Sequence, residues 1–193
     1  MKTLLLGALA ALIAGPAAAE VKSATPQGFE LVETITVHVP PETAYAALST
    51  PARWWNGEHS FSGDAKNFSL GLKPGGCFCE RLKDGGWAKH LEVTMVQPGE
   101  SIELHGGLGP LRSEGVAGVL RWTVKPAEGG GATITQSYVV GGYMRQGGEH
   151  WAPARRWPCC RTDDAAGQPA RYRGAGAEAA GLNSLRRGQY ELP

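Results

Sequence analysis

Residue types that can ligate a metal or move a proton gather between Cys77 and Glu92: Cys77, Cys79, Glu80, His90 and Glu92. Asp84-Gly85 lies between them and favours a two-residue hairpin turn. Such a turn pairs Lys83 with Gly86 and Cys79 with His90. Phe78, Leu82, Trp87, Leu91 and Val93 then share one face, with Glu80 opposite Lys89. Cys77, Cys79, His90 and Glu92 take the other face. Two thiols, an imidazole and a carboxylate on one surface suit zinc or a softer metal. However, small cysteines also pack well in sheets, and no C-x-x-C spacing is present. The preferred reading is packing, with no metal and no cofactor. Residues two apart on a strand are ~6.6 Å apart, at the long limit for a disulfide, so no Cys77–Cys79 bond is expected. For catalysis, His90 with Glu80 or Glu92 is the plausible acid–base pair. A one-residue slip would oppose Glu80 to His90, but it would mix polar and apolar groups on both faces. No serine sits in a nucleophile elbow and no glycine loop has the phosphate-binding pattern.

The elements that must position these groups follow from periodicity. Phe29, Leu31, Ile35, Val37 and Val39 alternate along a strand. Pro40-Pro41 ends it and starts a short helix, with Pro41 in the first turn and Glu42 beside the positive helix end. Tyr45 and Leu48 share one side of that helix, Ala44 and Ala47 keep it slim, and Pro51 breaks the run. Further strands are expected at 67–70, 77–83, 86–96, 101–106, 116–124 and 132–140, separated by turn signals such as Lys73-Pro74-Gly75-Gly76 and Gln97-Pro98-Gly99-Glu100. Leu120, Trp122 and Val124 form one buried face, as do Ile134, Tyr138 and Val140. The fold class is α+β: a curved antiparallel sheet of six to seven strands with two short helices to one side.

At 193 residues the chain holds one domain with a real core. A net charge of +1 gives no electrostatic case for nucleic acid or acidic membranes, and neither is an expected partner. Residues 1–19, MKTLLLGALAALIAGPAAA, have the form of a signal peptide: Lys2, an apolar run from Leu4 to Ala14, and small residues at Ala17–Ala19. The apolar run is short of the ~20 residues a span needs. A mature chain starting near Glu20, periplasmic or extracellular, is the expectation.

The order of the motifs P-x-T-A-Y-A-A-L, P-A-R-W-W and L-K-P-G-G-C-F-C-E-R-L resembles the START-like superfamily, also called SRPBCC. Within it the chain is similar to the branch of heat-shock-protein-90 ATPase activators. H-G-G-L-G-P-L (His105–Leu111) and Y-V-V-G-G-Y (Tyr138–Tyr143) resemble an exported bacterial subgroup. The resemblance covers about Phe29 to Met144 and implies a helix-grip fold. An apolar cavity then lies between the sheet and a long C-terminal helix, and the implied partner is a small hydrophobic molecule. Candidate ligand-lining residues are Trp54, Trp55, Phe78, Leu91, Trp122 and Tyr138, of which Trp122 and Tyr138 also read as core. A co-chaperone role fits poorly, because export separates the chain from a cytosolic ATPase. The rival reading is a cyclase- or hydrolase-like enzyme of the same superfamily using His90 and Glu80.

The expected domain is 20–144. Residues 145–193 depart from the pattern, since RQGGEHWAPARRWPCCRTDDAAGQPARYRGAG is dominated by glycine, proline and arginine and carries no apolar stripe at helical spacing. They read as a disordered tail, as a divergent ending, or as a stretch translated out of frame. Ala177–Leu192 is a candidate short helix weakened by Gly181 and Gly188.

Overall fold

The structure is a computed structural model, and it describes residues 20–152. The signal-peptide stretch, the Cys159-Cys160 pair and the candidate helix at Ala177–Leu192 lie outside the described residues.

Eight strands form one antiparallel sheet: β1 (Glu20–Thr25), β2 (Gly28–Val37), β3 (Phe68–Leu70), β4 (Cys77–Arg81), β5 (Trp87–Gln97), β6 (Ser101–His105), β7 (Gly115–Pro126) and β8 (Ala132–Tyr143). Their order is β1-β2-β8-β7-β6-β5-β4-β3, so one crossing alone brings β8 back beside β2. The fold is α+β, an antiparallel sheet with few short helices among the described residues, as the periodicity implies. The strand beyond the expected count is β1, EVKSAT. Every residue of it is exposed, so it has no apolar alternation to reveal it.

Helix α1 (Pro41–Leu48) starts where the double proline requires. Proline in the first turn loses no helical hydrogen bond, and its fixed φ suits a helix start. Ala44 and Leu48 are buried, while Tyr45 is half-buried. The helix faces β7 and β8. Trp54 then folds back and donates its indole N–H to Ala47 O at 3.0 Å, satisfying a carbonyl at the helix end.

The β7–β8 ladder runs unbroken from Gly115↔Tyr143 to Pro126↔Ala132, and β8 pairs with β2 on its other side. Tyr138 sits at the middle of this inner face, 2 % exposed. Its hydroxyl donates to Gly106 O at 2.9 Å and accepts from Leu108 N–H at 2.9 Å. The loop between β6 and β7 is thereby tied to the core. Gly118 makes room for the ring: a Cβ there would lie 2.9 Å from Tyr138 Cε2 and Oη. Only glycine fits.

The ordered chain continues past β8. Met144 is buried, and Arg145 binds Glu114 through its backbone N–H (2.8 Å) and its Nε (3.2 Å). Arg145 Nη2 also donates to Ser113 O at 2.7 Å. The short helix α2 (Gly148–Trp151) docks on the β1–β2 turn, with Gly148 N–H on Pro26 O at 3.1 Å.

Tyr138→Phe deletes a hydroxyl with two buried backbone partners and leaves both unsatisfied. A loss of about 1–3 kcal/mol in urea unfolding is expected. An unchanged midpoint would show that the bridge contributes nothing.

Candidate functional site

The hairpin carrying the candidate chemistry differs from the expected register in one segment. Its tip is as expected: Asp84 (φ 56°) and Gly85 (φ 78°) turn the chain, and Gly86 N–H bonds Lys83 O at 3.0 Å. Below the tip the pairing slips by one, to Arg81↔Trp87, Glu80↔Ala88 and Cys79↔Lys89. A bulge between Phe78 and Cys79 then restores Phe78↔Leu91 and Cys77↔Glu92. His90 is the extra residue. A bulge re-aims the side chain it adds, so His90 and Leu91 both turn inward, and Trp87 turns out to 68 % exposure.

Four expectations are corrected here, the first being that Glu80 lies opposite Ala88 and not Lys89. Trp87 does not share the apolar face. His90 is not with the cysteines, so the set Cys77, Cys79, His90 and Glu92 is divided between two faces. Cys77 and Cys79 are joined by a disulfide, with Cα atoms 5.4 Å apart. That separation is shorter than the extended spacing of ~6.6 Å that argues against the bond, and it lies in disulfide range. Among the described residues no three of His, Cys, Asp and Glu are grouped to hold a metal ion.

The same slip builds a buried pair. His90 Nε2 lies 3.0 Å from Glu80 Oε2, and the two side chains are 2 % and 0 % exposed. Glu80 Oε1 also accepts the backbone N–H of Ser62. With a carboxylate as acceptor, Nε2 is the donor and Nδ1 keeps its lone pair. Nδ1 is buried without a hydrogen-bond partner. Phe61 stacks on the imidazole at 5.5 Å and 5°, with Phe68 and Phe78 at 5.3 and 5.6 Å. Arg112 lies 5.5 Å over the outer face of Phe61. Burial holds the His90 pKa below its ordinary value; Glu80 opposes that shift and Arg112 adds to it. Chemically this is a neutral imidazole oriented by a carboxylate, closed off by an aromatic lid.

The aromatic candidates are placed close together. Trp54 packs edge-on against Trp122 at 5.8 Å, and Trp55 packs on Phe68 and Phe78 at 5.1 Å each. Trp54, Trp55, Phe78, Leu91 and Tyr138 belong to the packed core. Trp122 belongs to the same core, 3 % exposed. It also lines a small depression, partly open to solvent, with Glu33, Ile35, Leu48, Ile134 and Gln136. Glu33 and Gln136 are a cross-strand pair on β2 and β8, and Gln136 pairs with Trp122 on β7. Trp122 Nε1–H donates to Gln136 Oε1 at 2.7 Å. Sequence reasoning missed Glu33 and Gln136. The available signal was phase: each stands where Phe29, Leu31, Ile35 or Ile134, Tyr138 put apolar side chains.

A family model described as polyketide cyclase / dehydrase and lipid transport matches residues 28–158. The chain belongs to that family. The match supports the START-like superfamily that the motifs resemble, and it runs beyond Met144 into the segment held by Arg145 and α2. No curated protein matches. Solved structures similar to this family member include a conserved protein of unknown function from Enterococcus faecalis, at 11 % identity and TM-score 0.48, covering 72 % of this chain and 67 % of that one. A Mycobacterium smegmatis protein is 12 % identical with TM-score 0.45 and 86 % and 94 % coverage. A Rhizobium leguminosarum protein is 22 % identical with TM-score 0.41 and 64 % and 79 % coverage.

Acidification should destabilise the domain through two buried histidines. His59 is lowered to about 4 and His90 is lowered, in each case chiefly by burial. The unfolded state therefore takes up protons first as pH falls below ~6.5, and stability declines from there toward the folded-state values. His90→Gln, which keeps a donor for Glu80, should remove part of the slope of unfolding free energy against pH. A slope unchanged by His90→Gln would contradict the assignment.

Proposed function

We propose that the chain is an exported START-like domain that holds a small hydrophobic ligand against the inner face of its sheet. The observation that carries this reading is the depression over β2, β8 and β7, whose walls are Ile35, Leu48, Trp122 and Ile134. Apolar walls with a few placed polar groups suit small-molecule binding, and the family's description names cyclase, dehydrase and lipid transport. Export rests on the Lys2, Leu4–Ala14 and Ala17–Ala19 pattern, with release into the periplasm or medium. Similarity to the heat-shock-protein-90 ATPase-activator branch rests on the motifs around Trp54-Trp55 and Cys77–Leu82. Among the described residues no helix is long and apolar enough to cross a membrane.

A second reading is proton-transfer catalysis by His90 with Glu80, favoured by their 3.0 Å contact and the bare Nδ1. It ranks lower because Phe61, Phe68 and Phe78 surround the ring. A substrate would have to displace Phe61.

Titrating the full chain with octanol while following tryptophan fluorescence tests the binding reading. Saturable binding is expected, weakened about tenfold or more by Ile134→Trp, which fills the depression, and unaffected by Val139→Trp on the opposite face. Non-saturable partitioning, or equal effects of the two variants, would defeat it. Intact mass of the protein from its own host should correspond to a chain beginning near Glu20; retention of Met1 would refute export.

A further inference from the structure

The outer face of the β4–β5 hairpin carries the Cys77–Cys79 disulfide, which neither the proposed ligand site nor the His90–Glu80 contact uses. The bond links two positions of one strand, with a single residue between them. That strand is already laddered to β3 on one side and β5 on the other, so the bond joins no element to another. A cross-link this short also closes a minimal loop, which constrains the unfolded chain least. As a staple it has little to hold. Both cysteines are half-buried at the sheet surface, whereas Phe78 and Glu80 of the same strand are wholly buried on the inner face. Disulfides that solvent and other thiols can reach are the ones that exchange.

The surroundings of the two sulfurs differ. Lys89 stands directly across from Cys79, and Glu92 across from Cys77. Lys89 Nζ and Glu92 Oε2 are 2.8 Å apart, and each side chain is 48 % exposed. An ammonium group beside a sulfur favours its thiolate and a carboxylate opposes it, so Cys79 is the better leaving group. At the next outward position Arg81 pairs with Trp87, whose indole is 68 % exposed. A large exposed ring beside the bond offers apolar contact to a peptide side chain, which a small thiol lacks.

We propose that Cys77–Cys79 is a redox-active pair that oxidises two thiols of a peptide lying along the outer face of β4 and β5. One peptide thiolate attacks Cys77 Sγ, the Cys77–Cys79 bond breaks, and Cys79 leaves as a thiolate facing Lys89. The second peptide thiolate then attacks the mixed disulfide and releases Cys77. The peptide is oxidised by two electrons to its disulfide, the pair is reduced to a dithiol, and the two peptide protons pass to the cysteine sulfurs. Trp87 positions the peptide.

The test mixes the full-length protein with a reduced synthetic peptide bearing two cysteines and an aromatic residue, in about tenfold excess near neutral pH, followed by acid quenching and alkylation. The tryptic fragment 67–81 contains Cys77 and Cys79 and neither Cys159 nor Cys160. It should carry both thiols, while the far-ultraviolet circular dichroism of the protein stays unchanged. Trp87→Ala should slow opening by the peptide at least about fivefold and leave opening by dithiothreitol unaltered. A bond that survives the peptide, or opens only with loss of the folded spectrum, would overturn the proposal. Equal slowing of both reagents, or slowing of neither, would overturn the peptide as substrate.

Discussion

Strand β8 is hydrogen-bonded along its length to β2 on one side and β7 on the other, and that double ladder is the constraint on which the inner face depends. Side chains alternate with period two, so one register fixes the facing residues of three strands together. Leu31, Tyr138 and Leu120 form one row, Glu33, Gln136 and Trp122 the next, and Ile35, Ile134 and Val124 the one after. A polar row thus lies between two apolar ones. A slip of one residue would bury Thr34, Thr135 and Thr123 in place of that face. The Tyr138 hydroxyl, bound to the backbone at Gly106 and Leu108, helps hold the ladder to the loop beyond it.

The other half of the sheet is organised differently. Between β4 and β5 the register slips and recovers within a few residues, which turns His90 to the inside without expelling Leu91 or Val93. The outcome is a buried imidazole–carboxylate contact among phenylalanines, on a face otherwise filled by apolar groups. The slip also leaves Cys77 and Cys79 on the half-buried opposite face, bonded to one another. The hairpin therefore separates two chemistries that an ideal ladder would have placed together.

Much of this was legible in the residues. The α1 helix, bounded by Pro41 and Pro51, follows from backbone chemistry, and β2 and β5–β8 follow from alternation. The β4–β5 slip was not legible, because Asp84-Gly85 specifies the turn but not a bulge six residues away. β1 was invisible because all its side chains face solvent. For the candidate site, the aromatic residues lie together in the packed core, and His90 and Glu80 are in contact. The depression itself was missed because Glu33 and Gln136 break the apolar alternation.

The central claim is that the ligand sits on the inner face at the level of Glu33, Gln136 and Trp122. Heteronuclear NMR of the full-length protein during titration with octanol tests it most directly. The account predicts shift changes concentrated at the Trp122 indole N–H, the Gln136 side-chain amide and the Ile35 and Ile134 methyls. Changes confined to the exposed residues Trp87, Val139 and Tyr143, with the inner row unmoved, would contradict it.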